Sequence, residues 1–174
     1  MVELRLNQLA KKMNGNIVQG SPSMTFHKYN IDSRTIEAGE LFFALIAKKN
    51  GHDFIPLAYK KGAAGAVISR KTPSFDKGFA LIQVKDTLLS LQQLANKVLL
   101  AHDTKVVGIT GSIGKTTTKE FTATLLSQSF KVLKSEGNYN NQIGLPLTLL
   151  NLTAEHEIAI LEMGMNHAGE IKLL

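Results

Sequence analysis

Residues 105–128, KVVGITGSIGKTTTKEFTATLLSQ, constrain the fold of this chain more than any other stretch. A β-branched run, KVVGIT, passes through the turn GSIG and enters a helical pattern with no spacer. FKVLKS and HEIAILEM follow as further runs of strand length, separated by helical or turn-rich segments. Strands alternating with helices predict a parallel sheet with helices on its faces, because each return to the same sheet edge requires a crossover. The turn is chemically pointed as well. Gly111 and Gly114 permit a tight bend, and Lys115 opens the helix. Backbone N–H groups and a helix N-terminus would then converge on an anion, with a full positive charge added by the lysine. The strict phosphate-loop form, G-x-x-x-x-G-K-[ST], places glycine where Ile109 stands, and Gly108 is one position early. On residues alone the stretch is therefore either a phosphate loop or a glycine turn before a lysine.

The first hundred residues carry a weaker version of the same alternation. NIDSR and ELFFAL read as short strands around a Gly39 turn, and DFIPLAYKKGA as a helix with Pro56 in its early turns. GAVIS and FALIQV are strand-length apolar runs. TLLSLQQLANKVLLA places Leu88, Leu91, Leu94, Ala95, Val98 and Leu99 at helical spacing, with Thr87 as the expected N-cap. The polar stretch HDTK at 102–105 is the expected junction between a domain over 1–103 and another over 104–174. His52 and His156 are expected at the surface.

Hydrophobic residues make up 44% and charged residues 20%, a balance that supports a packed core. No apolar run reaches the roughly 18 residues that a membrane span needs. The start carries Glu3 and mixed polarity, unlike a secretory signal, and there is no cysteine for a disulfide or thiolate metal site, so a cytoplasmic location is expected. The net charge of +6 sits wholly in 1–103, which hold 14 Lys/Arg against 8 Asp/Glu, whereas 104–174 hold 6 of each. That excess reads either as a solvated basic face or as a site for an anionic ligand such as a diphosphate. Nucleic acid is disfavoured, because the lysine pairs at 11–12, 48–49 and 60–61 are scattered with no aromatic residues interleaved.

Glu162 sharpens the phosphate-loop reading. The apolar strand IAILE ends in this carboxylate, and phosphate-loop enzymes place a Mg²⁺-binding acid at such a strand end, while the hydroxyl after the loop lysine, here Thr116, reaches the same ion. Together these features point to nucleotide binding.

The runs TGSIGKTTTKE, GNYNNQIGLPLTLLNL and ILEMGMNHAGEI resemble the Mur ligases, whose phosphate loop has the shorter form G-x-x-G-K-[ST]. IDSR, GELFFAL, GHDFI, GAAGAVIS and VKDTLLSLQQLA resemble that family's uridine-nucleotide-binding domain, so the likeness covers nearly the whole chain. It implies an α/β protein: a small UDP-binding domain followed by the start of a parallel-sheet ATPase domain. Within the family, the runs resemble the branch that joins D-Ala-D-Ala to UDP-MurNAc-tripeptide. There ATP phosphorylates a terminal carboxylate, and the amine attacks the acyl phosphate.

The resemblance implies ATP and Mg²⁺ as cofactors and assigns roles by position. Gly111, Ser112, Ile113, Gly114, Lys115, Thr116 and Thr117 would cradle the phosphates, Lys115 and Glu162 would be catalytic, and Thr116 with Glu162 would hold the metal. Ser33, Arg34 and Lys48 would meet the UDP moiety. Asn138, Asn140, Asn141, Asn166 and His167 would face the rest of the substrate, although Asn-rich loops also favour turns for their own sake. Arg34 could instead serve a structural ion pair, and His167 a helix cap. The family usually has Gly where Ala47 stands and Asp where Asn50 stands. Family members run to several hundred residues and act as monomers, so the resemblance implies the N-terminal part of a ligase, inactive by itself. The competing readings are another ligase of the family, a stand-alone phosphate-loop NTPase or kinase, and a nucleotide-sugar binding module without catalysis.

Overall fold

The apolar runs of the first hundred residues become the middle strands of one sheet. The computed structural model describes residues 3–174, which form two compact units, Glu3–Leu94 and Ala95–Leu174. The first unit contains β1 (Leu4–Arg5), α1 (Leu6–Lys12), β2 (Asn16–Gln19), β3 (Thr25–Phe26), β4 (Tyr29–Asn30) and β5 (Leu41–Phe43). A 3₁₀ turn (Gly51–Phe54) leads into α2 (Ile55–Lys60), then β6 (Gly65–Ile68), β7 (Ala80–Gln83) and the first part of α3 (Thr87–Leu99). The five-stranded sheet has the order β2-β7-β6-β5-β4, with β4 to β7 parallel and β2 antiparallel at one edge, while β1 and β3 form a small antiparallel ribbon. Every residue of β5 and β6 is buried, which is why these strands read as unbroken apolar runs rather than as alternation. Phe42, Ile55, Ala58, Ala66 and Phe79 fill one core, and Tyr59 and Phe75 pack on Phe79 with ring centroids 5.2 and 4.8 Å away.

Two expectations fail here. His52 is not at the surface: it is 5% exposed, its Nε2 accepts from the Ser69 N–H at 2.9 Å, and its Nδ1 meets Asn50 Oδ1 at 2.8 Å. The ring thus ties the 3₁₀ turn to the end of β6, and a backbone donor that would otherwise be orphaned finds its acceptor. Neighbouring Gly51 admits no side chain, since a Cβ there would stand 2.5 Å from the Leu45 carbonyl oxygen. Thr87 does not cap α3. Asp86 Oδ1 accepts from the N–H groups of Leu88 and Leu89, and the Thr87 hydroxyl instead donates to the Ala44 carbonyl at 3.1 Å.

The division between the units falls inside α3, and the polar 102–105 stretch follows it. The second unit contains β8 (Lys105–Ile109), α4 (Lys115–Leu126), β9 (Val132–Lys134), α5 (Gly144–Leu149), β10 (Ile158–Glu162) and α6 (Glu170–Leu173). Its three strands are parallel in the order β8-β10-β9, and β10 is buried throughout. Ala123 of α4 packs on Ile158 and Ile160, with Val107, Leu126 and Val132 at the margin. KVVGIT reads as an apolar run of the buried type, but β8 is an edge strand whose residues are exposed or half-buried, with Val106 48% exposed. Among the described residues it pairs with β10 alone.

Candidate functional site

In the second unit, the three parallel strands deliver their C-terminal ends to one edge, the place where open α/β sheets gather ligands. The β8–α4 turn lies at that edge. Gly114 takes φ +80° immediately before α4, a left-handed conformation that glycine adopts without a Cβ penalty. Ser112 and Ile113 are exposed at the tip, Ile113 to 95%, and Lys115 Nζ donates to the Gly111 carbonyl at 2.7 Å across the loop. Thr116 Oγ1 donates to Glu162 Oε2 at 2.9 Å, which brings together two residues that lie 46 positions apart in the chain. Thr117 is exposed in the first turn of α4.

Glu162 is 2% exposed, so its carboxylate needs donors, and it has them. Asn140 Nδ2 donates to Oε1 at 2.9 Å, and Lys119 Nζ stands 3.8 Å from Oε2. The loop after β9 is thereby fastened to β10, and Gly164 N–H adds a bond to the Asn140 carbonyl at 2.7 Å. Asn141 turns the other way, and its Oδ1 accepts from the N–H groups of Ile143 and Gly144 at the start of α5. Asn138 is exposed, and its carbonyl accepts from Asn140 N–H. Asn166 and His167 both offer backbone N–H groups to Glu170 Oε2, at 2.6 and 3.1 Å, and these bonds hold the Glu170 carboxyl below its usual range. Lys115, Asn140, Asn141, Asn166 and Glu170 line one cavity of about 440 Å³.

Sequence reasoning missed Lys119. It is fully buried and donates to the carbonyls of Ser135 at 2.7 Å and Gly137 at 3.3 Å, with Glu120 Oε1 at 3.2 Å. The available signal was its spacing: on a helix, position 119 shares a face with 115, 116 and Ala123.

In the first unit, Ser33 and Arg34 border a cavity of about 510 Å³ whose apolar lining includes Phe42, Phe54 and Leu57. Lys49 lines it and its Nζ lies 6.0 Å from the Phe54 ring centroid, whereas Lys48 is exposed outside the lining. Arg34 is held by Asp32 through a forked pair, Nε to Oδ1 at 2.9 Å and Nη2 to Oδ2 at 2.6 Å. The Arg34 contacts lower the Asp32 pKa to about 2.

The oxygen donors beside the β8–α4 turn suit a hard divalent cation. Thr116 Oγ1 and Glu162 Oε2 stand 2.9 Å apart beside the loop lysine, and Mg²⁺ characteristically takes one carboxylate with phosphate and water oxygens rather than a full protein cage. No group of three or more His, Cys, Asp and Glu able to hold a metal occurs among the described residues.

Residues 109–174 match the Mur ligase middle domain. The chain is 40% identical over 176 residues to the UDP-N-acetylmuramoyl-tripeptide–D-alanyl-D-alanine ligase of Bacillus subtilis, covering 100% of this chain and 38% of that protein. A solved structure of UDP-N-acetylmuramoylalanyl-D-glutamyl-2,6-diaminopimelate–D-alanyl-D-alanyl ligase from Acinetobacter baumannii superposes with a TM-score of 0.88 at 35% identity, covering 98% of this chain and 38% of that one. The MurF ligase of Thermotoga maritima in complex with ADP superposes with a TM-score of 0.73 at 38% identity, covering 83% of this chain and 34% of that one. The chain therefore spans little more than a third of the length of these relatives.

Proposed function

Because this chain belongs to the Mur ligase family, we propose that it supplies the nucleotide-sugar and ATP-phosphate portions of an ATP-dependent amide ligase of peptidoglycan precursor synthesis. The reaction joins D-Ala-D-Ala to UDP-MurNAc-tripeptide, and the observation that carries the reading is the meeting of Thr116 and Glu162 beside Lys115. A carboxylate is a poor acyl donor. Transfer of the terminal phosphoryl group of ATP to the peptide carboxylate gives an acyl phosphate. The amine of D-Ala-D-Ala then attacks its carbonyl and phosphate leaves with the bonding electron pair.

The protein's share of this chemistry is positioning and charge neutralisation. The N–H groups of residues 111–117 cradle the phosphates, and Lys115 turns from Gly111 to the β- and γ-phosphates. Thr116 and Glu162 would hold Mg²⁺, which would neutralise phosphate charge there. Asn140 keeps its Oδ1 for substrate once its Nδ2 is committed to Glu162, and Asn141 likewise keeps its Nδ2. Asn138, Asn166 and His167 complete that side.

In residues 1–103, the apolar lining of Phe42, Phe54 and Leu57 suits the uracil ring, with Ser33 donating to the UDP moiety. Arg34, Lys49 and, at longer reach, Lys48 suit the diphosphate. Residues 104–174 form the opening part of the ATP domain. The full-length enzyme is proposed to be cytoplasmic and monomeric, and this chain alone to bind without ligating.

Calorimetric titration with UDP-MurNAc-tripeptide, UMP and Mg·ATP tests the reading. Saturable binding of the UDP-sugar peptide, weakened by Ser33→Ala, supports it. Tight Mg·ATP binding lost in Lys115→Ala, with no binding of the sugar nucleotide, would favour a phosphate-loop NTPase instead.

A further inference from the structure

Lys119 has no place in the chemistry described above, yet it is the most deeply buried charge in the second unit. Its side chain is fully buried, and an ammonium removed from water is tolerated only where acceptors and counter-charges meet it closely. Here it stands at the convergence of three elements. It leaves α4 one turn beyond Lys115 and donates to the carbonyl of Ser135 at the end of β9 and to that of Gly137 in the following loop. It faces Glu162 Oε2, the same oxygen that accepts from Thr116. Glu120 Oε1 lies 3.2 Å away on its outer side, and Glu120 is paired in turn with surface Lys134. Charges alternate along this line: Lys134, Glu120, Lys119, Glu162. The Ser135 hydroxyl also accepts from Glu162 N–H at 3.2 Å, so the residue that Lys119 grips is itself bound to the carboxylate-bearing residue.

From this geometry we infer that Lys119 is a positioning residue: its ammonium fixes the Glu162 carboxylate and the 135–140 loop against the phosphate-loop helix, so that the carboxylate meets a metal–nucleotide complex already oriented. Two consequences separate this role from simple support of the fold. The Asn140 amide, which reaches Glu162 Oε1 from that loop, depends on Lys119 although the two side chains belong to different elements. The part of nucleotide affinity that requires Mg²⁺ also depends on it, whereas the part supplied by Lys115 and the loop N–H groups does not. This second consequence rests on the nucleotide reading above; the first does not.

Lys119→Met in the 174-residue chain, which keeps the apolar stem and removes the charge, is the test. In ¹H–¹⁵N spectra recorded well below the melting temperature, the amides of Gly137 and Asn138 and the side-chain amide of Asn140 should shift. Those of Ala66 and Val67 in the first unit should stay. ADP affinity measured with and without Mg²⁺ should lose about 10-fold or more of the gain that Mg²⁺ confers, the scale seen when groups that orient metal ligands are removed. Affinity without Mg²⁺ should hold. Lys119→Gln, which keeps a donor towards Ser135 without charge, should retain the Gly137 resonance while losing the Mg²⁺ gain, and its Asn140 side-chain resonance and Mg²⁺ gain provide the readout if the methionine variant does not fold. An unmoved Asn140 side-chain resonance together with an unchanged Mg²⁺ gain would overturn the inference. A chain that binds no ADP would refute the nucleotide reading, and the spectra would still decide the placement of the loop.

Discussion

The two units bury polar groups in opposite ways. In the first, polar groups at depth are neutral or are satisfied by their own neighbourhood: His52 by Ser69 and Asn50, Thr87 by the Ala44 carbonyl, and Glu40 by Asn30 at 2.9 Å. They leave the middle of a five-stranded sheet apolar on both faces. In the second, a lysine and a glutamate of opposite charge lie at the C-terminal edge of the three parallel strands. One unit is a scaffold held by apolar contact. The other has an apolar core too, but it also holds a lysine and a glutamate of opposite charge at full depth.

That contrast can be broken by mutation. The largest effect should come from Phe42→Ala, which opens a cavity in the first core and should cost about 3–5 kcal/mol in denaturant unfolding. Next is Glu162→Ala, which strands the buried Lys119 ammonium and should cost about 3 kcal/mol, at the low end for a broken buried pair because Glu120 and two carbonyls remain. A cost below about 1 kcal/mol would mean that the second unit is not held by charge.

His52→Phe comes third. It leaves the Ser69 N–H without its acceptor and should cost about 1–3 kcal/mol. The same residue gives a sign for pH. Burial, reinforced by the Arg70 charge, depresses the His52 pKa below its ordinary value of 6.5, so the unfolded chain binds more protons than the folded one. Stability should therefore be full above pH 6.5 and fall as the pH drops towards the folded value. Burial depresses His156 in the second unit in the same direction. Melting curves of His52→Phe and His156→Gln between about pH 7.5 and about pH 5 should each show a shallower acid loss than the parent.

The smallest effect is expected from Arg34→Ala. Its pair with Asp32 is exposed on the Arg side, so the melting temperature should stay essentially that of the parent, while UMP affinity should fall if the cavity beside it takes the nucleotide.

Much of this is legible from local pattern. The loop from Gly111 to Thr116 combines strand, glycine turn, lysine and helix within a short stretch, and the apolar runs GAVI and IAILE are the buried strands they resemble. What escapes depends on partners far away in sequence. Residues 4–26 form elements of two to seven residues whose burial comes from packing rather than periodicity. The valines and isoleucine of β8 mark it as a strand, but its burial depends on which strands pair with it, and among the described residues β10 alone does. Lys119 reads as one more charge on an amphipathic helix, since no local rule says that a lysine will find two carbonyls 16 and 18 residues ahead. Histidine, likewise, carries no mark in sequence that distinguishes His52 as an acceptor for a backbone amide.

β10 pairs with β8 in continuous register, with Ile158 opposite Lys105 and Glu162 opposite Ile109. The ladder therefore acts as a gauge that sets how far the carboxylate extends beyond the turn at Gly111. A strand advances about 3.3 Å per residue and alternates sides, so deleting one residue among 158–161 would aim the acid at the opposite face. An insertion between 153 and 155, ahead of the bonds that Glu157 makes to Lys105 and Lys131, would leave the setting untouched. Length can drift before the strand but not within it, and the reach of Glu162 is measured in rungs, not in contacts.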